Sequence, residues 1–213
     1  IISLNNKVKD LGEVNIFEES YREYKQSKKQ KSLGEIYLKK INIRDNKTIT
    51  TNKWLFNYQY VGIIAKAIPN AKIIHCYRNP LDNILSIYRA HFATGNNFSS
   101  SLVDSAEVYS DQDEIMRKYK KDFRNHIYSL NYDELVTHPS DEIKSLIRWL
   151  GWSWNDLYLS PHLNKRKVST RSNVQVRSPI NTKSLGGWKN YKEMLKPAME
   201  IITKKDKYKD LKY

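Results

Sequence analysis

Lys72-Ile73-Ile74-His75-Cys76-Tyr77-Arg78-Asn79-Pro80-Leu81-Asp82-Asn83-Ile84-Leu85-Ser86 is the stretch on which the fold turns. Its first six residues form a short apolar run, as suits a parallel strand buried within a sheet. Arg78-Asn79-Pro80 interrupts the run, and residues 81–91 then take helical period. Pro80 fits the first helical turn, where its missing N–H removes no bond, and Asp82 fits the positive end of the helix dipole. A strand that hands over to a helix in this way predicts one unit of a parallel α/β sheet.

The flanking sequence repeats the alternation. Downstream, a helix over 104–123 leads to a second strand, His126-Ile127-Tyr128-Ser129-Leu130-Asn131, and a helix over 141–150 is stopped by Gly151. After Pro161 the chain is polar and basic until a last helix near 191–203. Upstream, residues 17–27 carry apolar and aromatic side chains at helical spacing, and Thr48-Ile49-Thr50-Thr51 is a short β-branched segment. A helix fits 56–67 and stops before Pro69. Residues 1–6 read like the tail of a helix. No repeat and no Gly/Pro/Ser-rich linker divides the chain, so residues 1–213 read as one domain.

Composition narrows the function classes. Hydrophobic residues are 39% and charged residues 28% of the 213, which makes the chain globular rather than disordered. No apolar run approaches the ~18–20 residues of a membrane helix. The single cysteine, Cys76, excludes an intramolecular disulfide framework and a multi-cysteine zinc site. A reduced, cytoplasmic compartment is the simplest reading, with no secretory signal visible. The five histidines show no metal-ligand spacing, so no metal is expected. Trp149, Trp152 and Trp154 around Gly151 read as a core cluster at a helix end. The 37 basic against 23 acidic residues give a net charge of +14. That surplus suits an anionic partner: nucleic acid, a membrane surface or a small multiply phosphorylated ligand. A solvated lysine-rich surface explains it equally well, and no RNA-recognition or helix-turn-helix signature accompanies the fifteen tyrosines.

Geometry favours the small ligand. In a parallel sheet, ligands gather at the carboxyl ends of strands and the amino ends of the helices that follow. Arg78 sits at such a junction, and Ser86, eight residues on, lies ~12 Å along the helix axis. A guanidinium and a hydroxyl so placed can hold one phosphate from two sides. The plain alternative is an arginine capping a loop and a serine facing solvent.

The same residues resemble the 3′-phosphate-binding segment of sulfotransferases, written as a strand, R-D/N-P, and a serine eight residues past the arginine. Asn52-Lys53, about 25 residues before Arg78, is similar to the family's lysine on the leaving and transferring groups. Tyr132-Asp133-Glu134-Leu135-Val136-Thr137-His138-Pro139 resembles the Y-E-x-L-x-x-x-P element, whose tyrosine lines the nucleotide site. Residues 171–191 resemble the terminal loop that closes over the donor, often Q-V-R-x-P-I/V-Y-x-x-S-x-G-R-W-x-x-Y. Residues 1–13 resemble the segment that follows the family's phosphate loop. The resemblance is strongest to the branch with tyrosylprotein sulfotransferases and bacterial enzymes linked to tetratricopeptide repeats.

The resemblance implies a three-layer α/β/α fold around a central parallel sheet, of the P-loop nucleotide-kinase kind. It implies 3′-phosphoadenosine 5′-phosphosulfate (PAPS) as donor, adenosine 3′,5′-bisphosphate as product and a hydroxyl acceptor. By the same resemblance Lys53 offsets charge on the moving group, Arg78 and Ser86 hold the 3′-phosphate, and Arg177 and Ser184 close from the terminal loop. Tyr132 and Ser172 border the adenosine. Cytosolic members carry a histidine base two residues after the lysine, where this chain has Leu55. Tyrosylprotein-type enzymes use a glutamate after the phosphate-loop helix; Glu13 falls in that segment, with Val14 at the ungapped base position. Glu13 is therefore the candidate base, against a plain structural carboxylate. Gly187 replaces a basic residue common before the tryptophan, and Lys183, Lys189 and Arg177 are candidates to supply that charge.

The family's P-R-S-G-T-S/T-L loop would precede Ile1, and no Gly-rich phosphate loop occurs within residues 1–213. A polypeptide starting at Ile1 is thus expected to be inactive or severely impaired. Two readings compete with the enzyme: a basic nucleic-acid-binding module, and a sulfotransferase-like protein that binds nucleotide without catalysis. Segments 92–111 and 155–171 are expected to shape the acceptor cleft and the rim of the donor site. A protein tyrosine, a carbohydrate and a small alcohol all remain open, as does the oligomeric state.

Overall fold

The computed structural model describes residues 1–28, 30–42, 48–90, 92, 95–164 and 175–211. Among the described residues, four short strands lie in two parallel pairs. Strand β1 (Val8–Asp10) pairs with β2 (Ile49–Thr51), Val8 opposite Ile49. Strand β3 (Ile73–Tyr77) pairs with β4 (Ile127–Asn131), Ile73 opposite Ile127 and Tyr77 opposite Asn131. The parallel α/β class is as the sequence predicts, but the described strands join two by two rather than in one continuous sheet.

Helices fill the crossovers, as parallel pairing requires. Helices α1 (Ile16–Gln26) and α2 (Leu33–Ile41) pack on each other between β1 and β2. A 3-10 helix (Leu55–Tyr60) runs into α3 (Val61–Ala67) between β2 and β3. Helices α4 (Pro80–Ala90) and α5 (Leu102–Asp122) connect β3 to β4. Then come α6 (Tyr132–Thr137), α7 (Pro139–Leu150) and α8 (Lys192–Ile202).

Three local differences have local causes. Helix α2 was not expected between the basic 28–31 stretch and the β-branched 48–51 segment, yet Ser32 and Glu35 form the reciprocal capping box that starts it. The segment 1–6, expected as a helix tail, is a single 3-10 turn (Ile2–Leu4) leading into β1. The helix expected from residue 56 opens as the 3-10 turn noted above. Gly151 does end α7, at φ +77°, a left-handed conformation that costs glycine little.

The largest core cluster joins α4, α5 and α8: Leu81, Ile84, Ala106, Leu195 and Met199 are buried there, with Trp188. A second cluster sets Val61 and Met116 against Ile127, with Ile73 beside it. Of the three tryptophans read as one cluster, Trp152 and Trp154 pack beside Ile143 and Ile147, whereas Trp149 packs against the Tyr128 ring with the Lys72 ammonium over it.

A cavity of about 1000 Å³ separates the two strand pairs. Residues 49–53 line it consecutively, and so do residues 71–76. Alternate residues of a strand point to opposite faces, so consecutive ones can share a wall only along the strand's edge. The cavity therefore runs beside the edges of β2 and β3 that face away from β1 and β4. Cys76, read from sequence as interior, opens onto this edge.

Candidate functional site

Parallel register decides what meets at the carboxyl ends. Tyr77 lies opposite Asn131, so the next residues, Arg78 and Tyr132, emerge side by side. The guanidinium stands 5.2 Å from the centre of the Tyr132 ring, a cation–π distance. Its Nη2 donates to the Ser184 carbonyl at 2.8 Å and lies 3.7 Å from Asp82 Oδ2. Arg78, Tyr132 and Ser184, far apart in sequence, are thus brought together. Ser184 joins through its main chain, not its hydroxyl.

Around Arg78 the turn is fixed from several directions. Asn79 Oδ1 accepts from the amides of Leu81 and Asp82 at 3.0 and 3.2 Å, capping α4. The Asn79 amide donates to Asp133 Oδ2 at 2.8 Å, tying the β3 turn to the β4 turn. The Tyr109 hydroxyl donates to the Arg78 carbonyl at 3.2 Å. Burial, with the Tyr208 hydroxyl adding, pushes the Tyr109 phenol far above its usual range, so it stays a neutral donor. Arg78 Nε is buried and has no acceptor among the described residues. A buried donor left unpaired is costly, which marks the place as one where an acceptor belongs.

Ser86 is exposed on α4 and lines the same cavity as Arg78, along with Asn83 and Ile87. Lys53 lines it too, reaching it from the end of β2. The Lys53 ammonium opposes the upward push that burial exerts on the Cys76 thiol, so Lys53 acts across the hollow on β3.

The first strand pair repeats the device. Asp10 lies opposite Thr51, and two residues on, the Lys53 amide donates to the Gly12 carbonyl at 3.1 Å. Lys53 and Glu13 then meet in an ion pair, their chain positions 40 residues apart. The two catalytic candidates are therefore neighbours. Arg177 is exposed and donates to the Asn164 carbonyl, while the Asn164 side-chain amide donates to Ser3 Oγ. Through Asn164, which caps the 161–163 turn, Arg177 is linked to the amino-terminal segment. Ser172 lies outside the described residues.

Sequence reading missed Asp82 as anything but a dipole residue. Its carboxylate accepts from the Gly186 amide at 2.8 Å and the Trp188 amide at 3.0 Å, and only 4% of the side chain is exposed. No periodicity announces a contact across more than 100 residues, although Gly-Gly-Trp does mark a turn with amides to offer. Among the described residues no group of His, Cys, Asp and Glu is arranged to hold a metal, and no helix is long and apolar enough to cross a membrane.

Fold and junction define an α/β protein in which parallel strand ends bring a largely buried arginine to the edge of a cavity. The chain belongs to the sulfotransferase family, which it matches over residues 7–156. A solved sulfotransferase domain from the curacin biosynthetic pathway shares the fold, with a TM-score of 0.50 over 93% of this chain and 71% of that one, at 13% identity. An uncharacterised protein of Aquifex aeolicus (strain VF5) is 34% identical over 176 residues, 81% of this chain and 23% of that protein. Protein-tyrosine sulfotransferase 1 of Danio rerio is 26% identical over 145 residues, 64% of this chain and 41% of its own length. The protein-tyrosine sulfotransferase of Drosophila melanogaster is 25% identical over 134 residues, 59% of this chain and 27% of its own. The aligned part thus spans less than half the length of these relatives.

Proposed function

We propose that this chain carries donor-binding and catalytic residues of a sulfotransferase that takes a sulfuryl group from PAPS and passes it to a hydroxyl. One observation carries the reading. Lys53 and Arg78, assigned by resemblance to opposite ends of the donor, line one cavity from the ends of neighbouring strand pairs, and Arg78 keeps a buried Nε without an acceptor. The residues present fit such a donor, since a cavity of about 1000 Å³ is at the upper end of small-molecule sites.

Arg78 and Ser86 hold the 3′-phosphate, Tyr132 borders the adenosine, and the loop through Ser184 covers them. By the resemblance, Arg177 is assigned to closing over the donor and Ser172 to the border of the adenosine. When bound, the donor supplies an activated sulfuryl group, whose transfer is a loose in-line displacement akin to phosphoryl transfer. Lys53 offsets negative charge at the point of transfer. Glu13, held beside Lys53, accepts the proton of the acceptor hydroxyl. Tyrosine is the first acceptor to try, because two animal relatives are named for it.

Calorimetry with adenosine 3′,5′-bisphosphate tests the reading in the full natural chain. One saturable site is expected, and Arg78→Ala should weaken it by about 10- to 100-fold, the worth of a charge-assisted contact. Unchanged affinity in that variant would remove the assignment. A steep salt dependence over many phosphates would point to nucleic acid instead.

A further inference from the structure

We propose that Asp82 is a positioning residue for this anion site: it clamps the 184–188 main chain onto the β3–α4 junction and, through that clamp, aims Arg78. The proposal rests on the nucleotide reading above and adds what makes the arginine effective.

Asp82 is nearly fully buried, and a buried carboxylate is tolerated only when its charge and lone pairs are met. Here they are met from four sides. The amides of Gly186 and Trp188 donate to its two oxygens, the Arg78 guanidinium lies at 3.7 Å, and the residue sits in the first turn of α4. Gly186 has φ +66°, a conformation that a side chain would strain, so its amide can turn toward the carboxylate. Trp188 is buried in the α4–α5–α8 core and anchors the far end of the loop.

Ser184 is the link. Its carbonyl takes the Arg78 Nη2 proton at 2.8 Å, and the two amides that Asp82 grips follow within four residues. One guanidinium nitrogen is thereby spent on the protein, while the buried Nε keeps its proton unshared. Asp82 itself need not touch the ligand. If the ligand needs the docked loop, linkage demands the converse: ligand must hold the loop docked.

The experiment is a double-mutant cycle on bisphosphate affinity in the full natural chain, with thermal melts as a folding check. Asparagine offers one acceptor oxygen where two amides ask, so Asp82→Asn should weaken binding roughly tenfold with Arg78 present. In an Arg78→Lys background, which lacks the planar fork, the same change should cost less than about threefold. Equal losses in both backgrounds, or none with Arg78 present, overturn the positioning role. A second measurement needs no variant. Trypsin cleavage after the exposed Lys183 of the wild-type chain should slow as bisphosphate saturates; cleavage indifferent to saturating ligand also overturns it. Should the wild type bind no bisphosphate, the nucleotide reading falls as well. Should Arg78→Ala lose affinity while Asp82→Asn keeps it, only the positioning role falls.

Discussion

At the carboxyl edge of β1–β2, Lys53 meets Glu13 with 71% of the lysine side chain exposed; at the edge of β3–β4, Arg78 meets Tyr132 and Asp82 with 19% of the arginine side chain exposed. Both pairs use one device, parallel strands whose register delivers two side chains to a common end. Their surroundings differ. The Arg78 end rests on the α4–α5–α8 core and is crossed by the 184–188 loop, so its electrostatics act in a drier medium, where they are stronger. The Lys53 end is open. On the proposed function, the drier end would grip the donor and the open end would be where it reacts.

The largest expected effect breaks the comparison if it fails. Ile84 is fully buried in the α4–α5–α8 core, whereas Leu55, two residues past Lys53, is 48% exposed. Ile84→Ala should cost about 2–5 kcal/mol of stability and Leu55→Ala roughly 0.5 or less, read from denaturant melts. Similar losses at both would mean the two ends are supported alike.

Next in size is a division of labour in kinetics. Lys53→Ala should lower the rate of sulfuryl transfer by about 10²–10³-fold, the worth of one charge-stabilising donor, while bisphosphate affinity stays within a few-fold. Arg78→Ala should show the reverse emphasis. A Lys53→Ala enzyme that loses affinity and keeps its rate would exchange the two roles.

Sequence made the β3–β4 end legible because its information is local. Apolar runs of strand length mark both strands, Asn79 and Pro80 mark the start of α4, and once two strands are parallel, register alone puts Tyr132 beside Arg78. The β1–β2 end was harder, since Val8-Lys9-Asp10 is too short to show a period. Glu13 and Lys53 were each singled out only by the resemblance, and no local pattern pairs them across 40 residues. Least legible was Asp82: its bonds to Gly186 and Trp188 depend on where α8 docks, which no local pattern encodes. The capping box of α2 is local too, Ser32 and Glu35 standing three residues apart, but the sequence reading passed over it.

A pH measurement sharpens the contrast in dryness. His75 lies in β3, and burial, with the Lys120 charge adding, pushes its imidazole down to about 4, while Asp113 pulls weakly the other way. In the unfolded chain it titrates near 6.5. Between those values the unfolded chain binds the extra proton, so stability should climb as pH rises from about 4 to 6.5 and then level off. The span is worth at most about 3 kcal/mol. His75→Gln should flatten that part of the curve relative to wild type; an unchanged slope would mean the strand is wetter than its burial implies.

The smallest effect concerns the open end. Breaking the Glu13–Lys53 pair by Glu13→Gln should change stability by less than about 1 kcal/mol, because both partners reach solvent and water screens them. Raising salt should shrink even that difference, since exposed pairs weaken as the Debye length falls. A loss of several kcal/mol would make the pair a structural strut and take Glu13 out of the chemistry. With the small loss expected, the proposed roles give the contact a different use, to hold Glu13 as proton acceptor beside the Lys53 ammonium. A drop in transfer rate without a drop in melting temperature is what that placement requires.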